Sequence, residues 1–179
     1  MQTSTKAPLN IAKPTSQTIQ DKLPEWMDHN QDAVNFLLNI FFIASMWDDF
    51  IDRDKLLSDE DIHAVFDTCL LTLPLNPFYT KYFTALYSLL ANSIRNWKAA
   101  NIIENDPTSD ELSLQQAFVL RSSYIDLIGM CAALIKGTEH ATNVTKEART
   151  LAGAEGFQGY LTNLKKEKEL RHGITRMRN

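Results

Sequence analysis

The chain is poor in the residues that punctuate or staple a fold: six glycines, six prolines and two cysteines in 179 residues. Two cysteines cannot build a disulfide framework. Cys69 in "DTCLLTL" and Cys131 in "IGMCAAL" read instead as buried free thiols of a reducing compartment. There is no Cys/His zinc spacing, glycine-rich phosphate loop, G-x-S-x-G elbow or dinucleotide fingerprint, so the chemistries those motifs serve are not expected. Apolar and polar residues nowhere alternate over more than four positions, which argues against strands, and neither an internal repeat nor a heptad pattern is present. The longest apolar run is about a dozen residues and is broken at Asn39, whereas a bilayer span needs about 20. Residues 1–22 show no apolar signal core. A cytoplasmic protein with no membrane span is expected.

What the chain does have is hydrophobic content of 44 % and a formal charge of −4, unevenly spread. Residues 1–22 carry Lys6, Lys13 and Lys22 against Asp21, a net of +2, and residues 161–179 carry six Lys/Arg against Glu167 and Glu169, a net of +4. Residues 23–160 must therefore hold −10. An acidic body with a basic end is not the charge pattern of a nucleic-acid-binding domain, and none is expected as partner.

Residues 1–22, rich in Thr, Ser, Gln, Lys and Pro, are expected to form a flexible arm, with a single helical domain over 23–179 that ends in a basic helix. The periodicity predicts about six helices. The first runs over 31–55 without Gly or Pro, and the second opens at Ser58 as N-cap, with Asp61 three residues on making a near capping box. The third covers 78–104 behind Asn76 and Pro77, and the fourth covers 112–136, capped by Ser109 and stopped at Gly137. A fifth over 144–152 and a sixth over 157–171 complete an all-α, single-domain helical bundle.

Three groups of polar residues fall on apolar helical stripes. The first helix is apolar nearly all round, yet its stripe runs through Ala44 and Ser45 into Asp48 and Asp52, with Asp49 at the edge. Either the helix surfaces there or these carboxylates hold a cation. On the fourth helix Arg121 lies between Phe118 and Tyr124 on the core stripe. A buried guanidinium keeps its proton and needs an anion, which is an acid of another helix or a phosphate or carboxylate ligand. Asn92 and Asn96 share a stripe with Leu89, Ala100 and Ile103, where their amides suit either water ordering or helix-to-helix hydrogen bonds. Arg121, Asn92, Asn96 and Tyr124 are the candidate ligand-binding residues, and Asp48, Asp49 and Asp52 the candidate Mg²⁺ ligands, because carboxylates alone suit a hard cation that bridges to phosphate.

"WDDFIDRD" resembles the aspartate-rich DDxxD motif of class I isoprenoid (terpenoid) synthases, with Asp48, Asp49 and Asp52 at its acidic positions, and "FVLRSSYIDLIGM" resembles the helix carrying that family's diphosphate-sensing arginine, here Arg121. The resemblance implies a terpenoid-synthase-like bundle that binds Mg²⁺ and a diphosphate-containing small molecule. The last helix offers Asn163, Glu167 and Glu169 without the spacing of that family's second metal motif. With "NPFYTKYF", "NWKAAN" and "EGFQGYLTNLKKE", most of the chain also looks like phage and prophage proteins of this helical fold, a resemblance that implies a host-cell cytoplasmic setting and no particular activity. Two alternatives stand beside the diphosphate reading. One is a non-catalytic accessory or interaction protein, with a homodimer as one form of it. The other is an all-α nucleotide pyrophosphohydrolase, which would want a second E-x-x-E/D pair on a facing helix, and the third and fourth helices carry none.

Overall fold

A computed structural model describes residues 15–52, 57–154 and 156–177, with the side chains at 15–17, 52 and 170–177 outside the description. Among the described residues the chain is helical with no strand: α1 (Thr15–Trp26), α2 (Gln31–Asp52), α3 (Asp59–Asp67), a π-helical turn (Thr68–Thr72), α4 (Pro77–Lys81), α5 (Phe83–Asn105), α6 (Glu111–Arg121), α7 (Tyr124–Lys136), α8 (Thr138–Ala152) and α9 (Gly156–Met177). The all-α bundle is as the sequence pattern implies. It is divided more finely than the expected six helices.

The local signals that hold are caps. Ser58 Oγ accepts from the Asp61 amide, while the Asp61 carboxylate accepts from the Ser58 amide at 3.0 Å, closing the box at the start of α3. Asn76 Oδ1 accepts from the Tyr79 amide at 2.9 Å, and its Nδ2 donates to the Asp32 carbonyl at 2.9 Å. One buried amide thus caps α4 and ties it to the first turn of α2. Asn30 does the same work for α2, accepting from the Ala33 amide.

The differences have identifiable causes. The arm expected over 1–22 gives way at Thr15 to α1, because Ile19 and Leu23 bury an apolar stripe in the core; residues 1–14 lie outside the description. The helix expected over 78–104 is interrupted at Tyr82 (φ −112°, ψ 23°), separating α4 from α5. The helix expected over 112–136 breaks at Ser122–Ser123. Both hydroxyls donate back to carbonyls three residues earlier, Val119 and Leu120, and both amides make the same short-range bonds, so the α-ladder is lost for one turn. The cap of α6 is Asp110, which accepts from the Ser113 amide at 2.8 Å, and not Ser109, whose hydroxyl donates to the Ile103 carbonyl. The stretch 138–143, expected as a link, is the first part of α8: Gly137, at φ 87° and ψ 177°, reverses the chain in a single residue. Cys131 is buried as expected, whereas Cys69 is only half-buried.

Helix α7 is the centre of the core. Ile125, Leu127, Ile128, Cys131 and Ala132 are buried on several faces, which is why its sequence is apolar all round. Leu23 from α1, Met27 in the turn after it, Phe36 and Leu37 from α2, and Leu86 from α5 close around it. Helix α1 is held to α8 by Trp26, whose indole donates to Glu147 at 2.9 Å and whose carbonyl lies 2.8 Å from His140 Nε2. By length and composition, the stretches Gln31–Ile51 and Glu111–Lys136 would suffice to cross a membrane. The second is interrupted at Ser122–Ser123, and both supply core residues, although 28 % and 33 % of the two stretches is buried.

Helices α7 and α8 pack closely where Gly129 faces Thr145. A Cβ at residue 129 would lie 2.5 Å from Thr145 Oγ1. In a helix interior Gly→Ala ordinarily stabilises by about 1 kcal/mol. Gly129→Ala is expected to forgo that gain and lose about 1–2 kcal/mol through the clash, while in a Thr145→Ala background the gain should return. Urea denaturation of the four proteins in this cycle measures the coupling.

Candidate functional site: an ion-paired arginine in the wall of a helix-lined cavity

Arg121 is the last residue of α6, so its cation sits at a helix C-terminus, where the backbone dipole favours it. Its side chain reaches across to α5. Nε donates to Glu104 Oε1 at 2.8 Å and Nη2 to Glu104 Oε2, a two-pronged match of guanidinium to carboxylate. Nη2 also donates to Asn101 Oδ1 at 2.7 Å, and Nη1 donates to Asp48 Oδ1 on α2 at 3.1 Å. The Trp97 ring lies 5.6 Å from the guanidinium carbon and packs in turn on Trp47 at 5.0 Å. Trp97, Asn101 and Glu104 occupy one face of α5 at helical spacing, so a single helix supplies the arginine with an aromatic face, an amide and a carboxylate.

Glu104 is 2 % exposed, the most buried charged residue among those described. A carboxylate so placed is tenable only with its lone pairs engaged. Besides the arginine fork, Oε1 accepts from the Tyr160 hydroxyl of α9 at 2.6 Å, and Lys168 of α9 donates to the Glu104 backbone carbonyl. Burial, then the bond to Glu104, pushes the Tyr160 phenol well above its ordinary pKa, so it stays a donor at any physiological pH. The sequence reading missed Glu104. The available signal was an acid on the apolar side of "NIIEN", in register with Asn101 and Trp97.

Beside this network lies an open cavity of about 530 Å³ lined from α1, α2, α5, α6, α7, α8 and α9, a volume within the range of small-molecule sites. Five aromatic residues, Phe41, Trp97, Phe118, Tyr124 and Tyr160, stand in its walls, and its polar groups include Asp48, Arg121, Asn163 and Glu167. A smaller apolar cavity of about 100 Å³, against Ile40, Trp47 and Leu127, shares Trp97, Arg121 and Tyr124 with the first.

The expected site residues divide accordingly. Arg121 and Tyr124 line the cavity. The Tyr124 ring stands edge-on to Phe41 at 5.3 Å, and its hydroxyl is buried without a hydrogen-bond partner among the described residues; burial raises its pKa. Asn96 is in the structural role left open for it, donating to Ser123 Oγ at 2.9 Å and so pinning the α6–α7 break. Asn92 is exposed and is not among the cavity-lining residues. Asp48 lines the cavity with its side chain 46 % exposed, Asp49 is half-buried outside the lining, and the Asp52 side chain falls outside the description. With Phe50 39 % and Ile51 50 % exposed, α2 does surface at its acidic end. Among the described residues no group of three or more His, Cys, Asp or Glu side chains forms a metal-holding cluster. Asp126, on the small-residue face of α7, pairs with Arg149 of α8 at 2.6 Å; the same guanidinium donates to the Ser122 carbonyl and hydroxyl and takes up the groups freed at the break.

Comparison with protein-family models, with curated proteins and with solved structures gives no match.

The two carboxylates on Arg121 should differ in cost. Glu104→Ala strands a largely buried guanidinium and is expected to lower stability by about 3–5 kcal/mol. Asp48→Asn, at a half-exposed position, should lose no more than about 1 kcal/mol. Chemical denaturation of both variants at neutral pH checks the contrast, and equal losses would make Asp48 as much a structural partner as Glu104.

Proposed function

We propose that the cavity binds a small molecule with an apolar body and a diphosphate head carried with Mg²⁺. The observation that carries this reading is one cavity of about 530 Å³ that has aromatic residues in its walls and is bordered by both Asp48 and the Nη1 edge of Arg121. Supporting it is the resemblance of "WDDFIDRD" to the DDxxD motif, whose first aspartate is the one on the cavity wall. Asp48, Asp49 and Asp52 are the residues that would hold the metal. Their carboxylates are the hard oxygen donors Mg²⁺ takes, and Mg²⁺ supplies charge neutralisation to the phosphates.

The charge balance explains why a metal belongs in the proposal. Among the described lining residues the charged groups are Asp48, Glu167 and Arg121, and Arg121 is already matched by Glu104. A bare diphosphate would meet more negative than positive charge, whereas a metal-loaded one would draw on the acids. Arg121 would then offer Nη1, the prong not directed at Glu104, to the ligand's remaining charge. We assign the chain's residues to binding and to charge stabilisation, and to no covalent step.

A second reading has its own support. The Asp48–Arg121 pair at 3.1 Å suits a purely structural acid, and Phe66, Leu70, Leu71 and Leu75, along α3, the π-helical turn and the loop after it, are 58–79 % exposed, as on a protein that meets a partner or a second copy of itself.

Thermal unfolding with Mg²⁺, with inorganic diphosphate and with both separates the readings. Under the diphosphate reading neither alone shifts the midpoint appreciably, and the two together stabilise by about 2.7 kcal/mol at a hundred times Kd, an effect Asp48→Asn should remove. No shift under any condition, with light scattering reporting a dimer, would favour the interaction protein.

A further inference from the structure

The break between α6 and α7 leaves one polar group unanswered. Around it, Ser122 and Ser123 donate to carbonyls of the preceding turn, Asn96 donates to Ser123 Oγ, and Arg149 donates to the Ser122 carbonyl and hydroxyl. Tyr124, the first residue of α7, is the exception. The residue is half-buried, yet its hydroxyl is shielded from water and has no hydrogen-bond partner among the described residues. No other buried side-chain polar atom among them is in that condition. A phenol O–H that has left water without gaining an acceptor is a cost the fold carries, and native structures seldom leave such a donor empty without a reason. Burial also raises its pKa, so the group is a neutral donor at any physiological pH.

Tyr124 lines both the cavity of about 530 Å³ and the apolar one of about 100 Å³, so the ring has space to shift into when an acceptor draws it. Its place relative to the charged end of the site follows from α2. The Tyr124 ring meets Phe41 edge-on at 5.3 Å, and Arg121 Nη1 meets Asp48 at 3.1 Å. Phe41 and Asp48 are two helical turns apart on α2, which is about 10 Å. Ala44 and Ser45, which line the cavity between them, are small. The cavity thus has a charged end at Asp48 and Arg121, a stretch of α2 with little side chain in the way, and an aromatic end that holds an unpaired donor.

We infer that the Tyr124 hydroxyl determines specificity, donating to a neutral oxygen (carbonyl, ether or hydroxyl) on the apolar body of the ligand, about 10 Å from the end that meets Asp48 and Arg121. The inference rests on reading the cavity as a ligand site and narrows it: the occupant is an oxygenated amphiphile and not a plain hydrocarbon on a charged head. A hydrocarbon leaves the hydroxyl as unsatisfied as before, whereas an acceptor oxygen satisfies it. Discrimination of that kind exceeds what apolar contacts of the same shape provide.

Tyr124→Phe, made in the full chain, deletes the hydroxyl and keeps the ring. In the free protein it should leave the urea midpoint unchanged or raise it, because no hydrogen bond is lost. Binding is then read with two probes of nearly the same shape, benzylacetone and isopentylbenzene, titrated into both proteins and followed by the amide shifts of cavity-lining residues. The preference for the ketone over the hydrocarbon should be about tenfold greater in the wild type than in Tyr124→Phe, with hydrocarbon affinity the same in both. Equal preferences, no binding of either probe, or a clear fall in midpoint on Tyr124→Phe would overturn the inference, the last by showing that the hydroxyl already has a partner such as a held water. Neither probe carries phosphate, so the diphosphate reading fails separately. A ketone preference that depends on Tyr124, in a wild type that ignores Mg²⁺ with inorganic diphosphate, sustains the tyrosine assignment and overturns the diphosphate head.

Discussion

The pairing of Arg121 with Glu104 is the constraint around which the functional end of the bundle is organised. Neither group is tolerable there alone, since a guanidinium does not shed its proton and a carboxylate 2 % exposed has almost no water to solvate it. Together they fix the distance between α5 and the end of α6, set the guanidinium plane beside Trp97, and leave one prong directed at Asp48 on α2. Through Tyr160 and Lys168 the same glutamate fastens α9. Four helices are therefore registered on one acid, and all four contribute to the cavity wall.

The second constraint is the break between α6 and α7. Ser122 and Ser123 bond back to the preceding turn, and the groups this frees are taken up from outside, by Arg149 on α8 and by Asn96 and Ser93 on α5. Without the break, Arg121 and Tyr124 would belong to one straight helix. With it, α6 turns its end toward α5 while α7 runs on into the core, and the wall of the cavity is formed where they part. The Arg149–Asp126 pair, half-exposed and of modest energy by itself, matters because it holds that geometry.

The functional reading follows from the charge that remains once these structural needs are met. Glu104 satisfies most of Arg121, so the arginine is not a bare anion receptor, and Asp48 is a half-exposed carboxylate that a metal could compete for at small cost. That combination suits a ligand that arrives with its own cations. It suits equally well a site where Asp48 completes a structural pair, and the exposed apolar side chains of α3 and the π-helical turn then become the more informative surface.

Much of the architecture could be read from the chain. The absence of alternation and the long apolar 3.6-residue periodicities require helices, and Ser58/Asp61, Asn76/Pro77 and Gly137 mark boundaries because capping is chemistry within a few residues. Arg121 on an apolar stripe announced a buried anion partner, either an acid of another helix or a ligand, since a guanidinium keeps its proton. What the chain by itself could not decide was the identity of partners. That Glu104 rather than a ligand answers Arg121, that Asn96 serves Ser123, and that Ser122–Ser123 becomes a break instead of mid-helix polar residues all depend on side chains 17 to 30 positions away. Local propensity settles where helices form. Only packing brings an acid of α5, an aspartate of α2 and a tyrosine of α9 to the same arginine, because satisfaction of a buried charge is a property of the space around it and not of its neighbours in sequence.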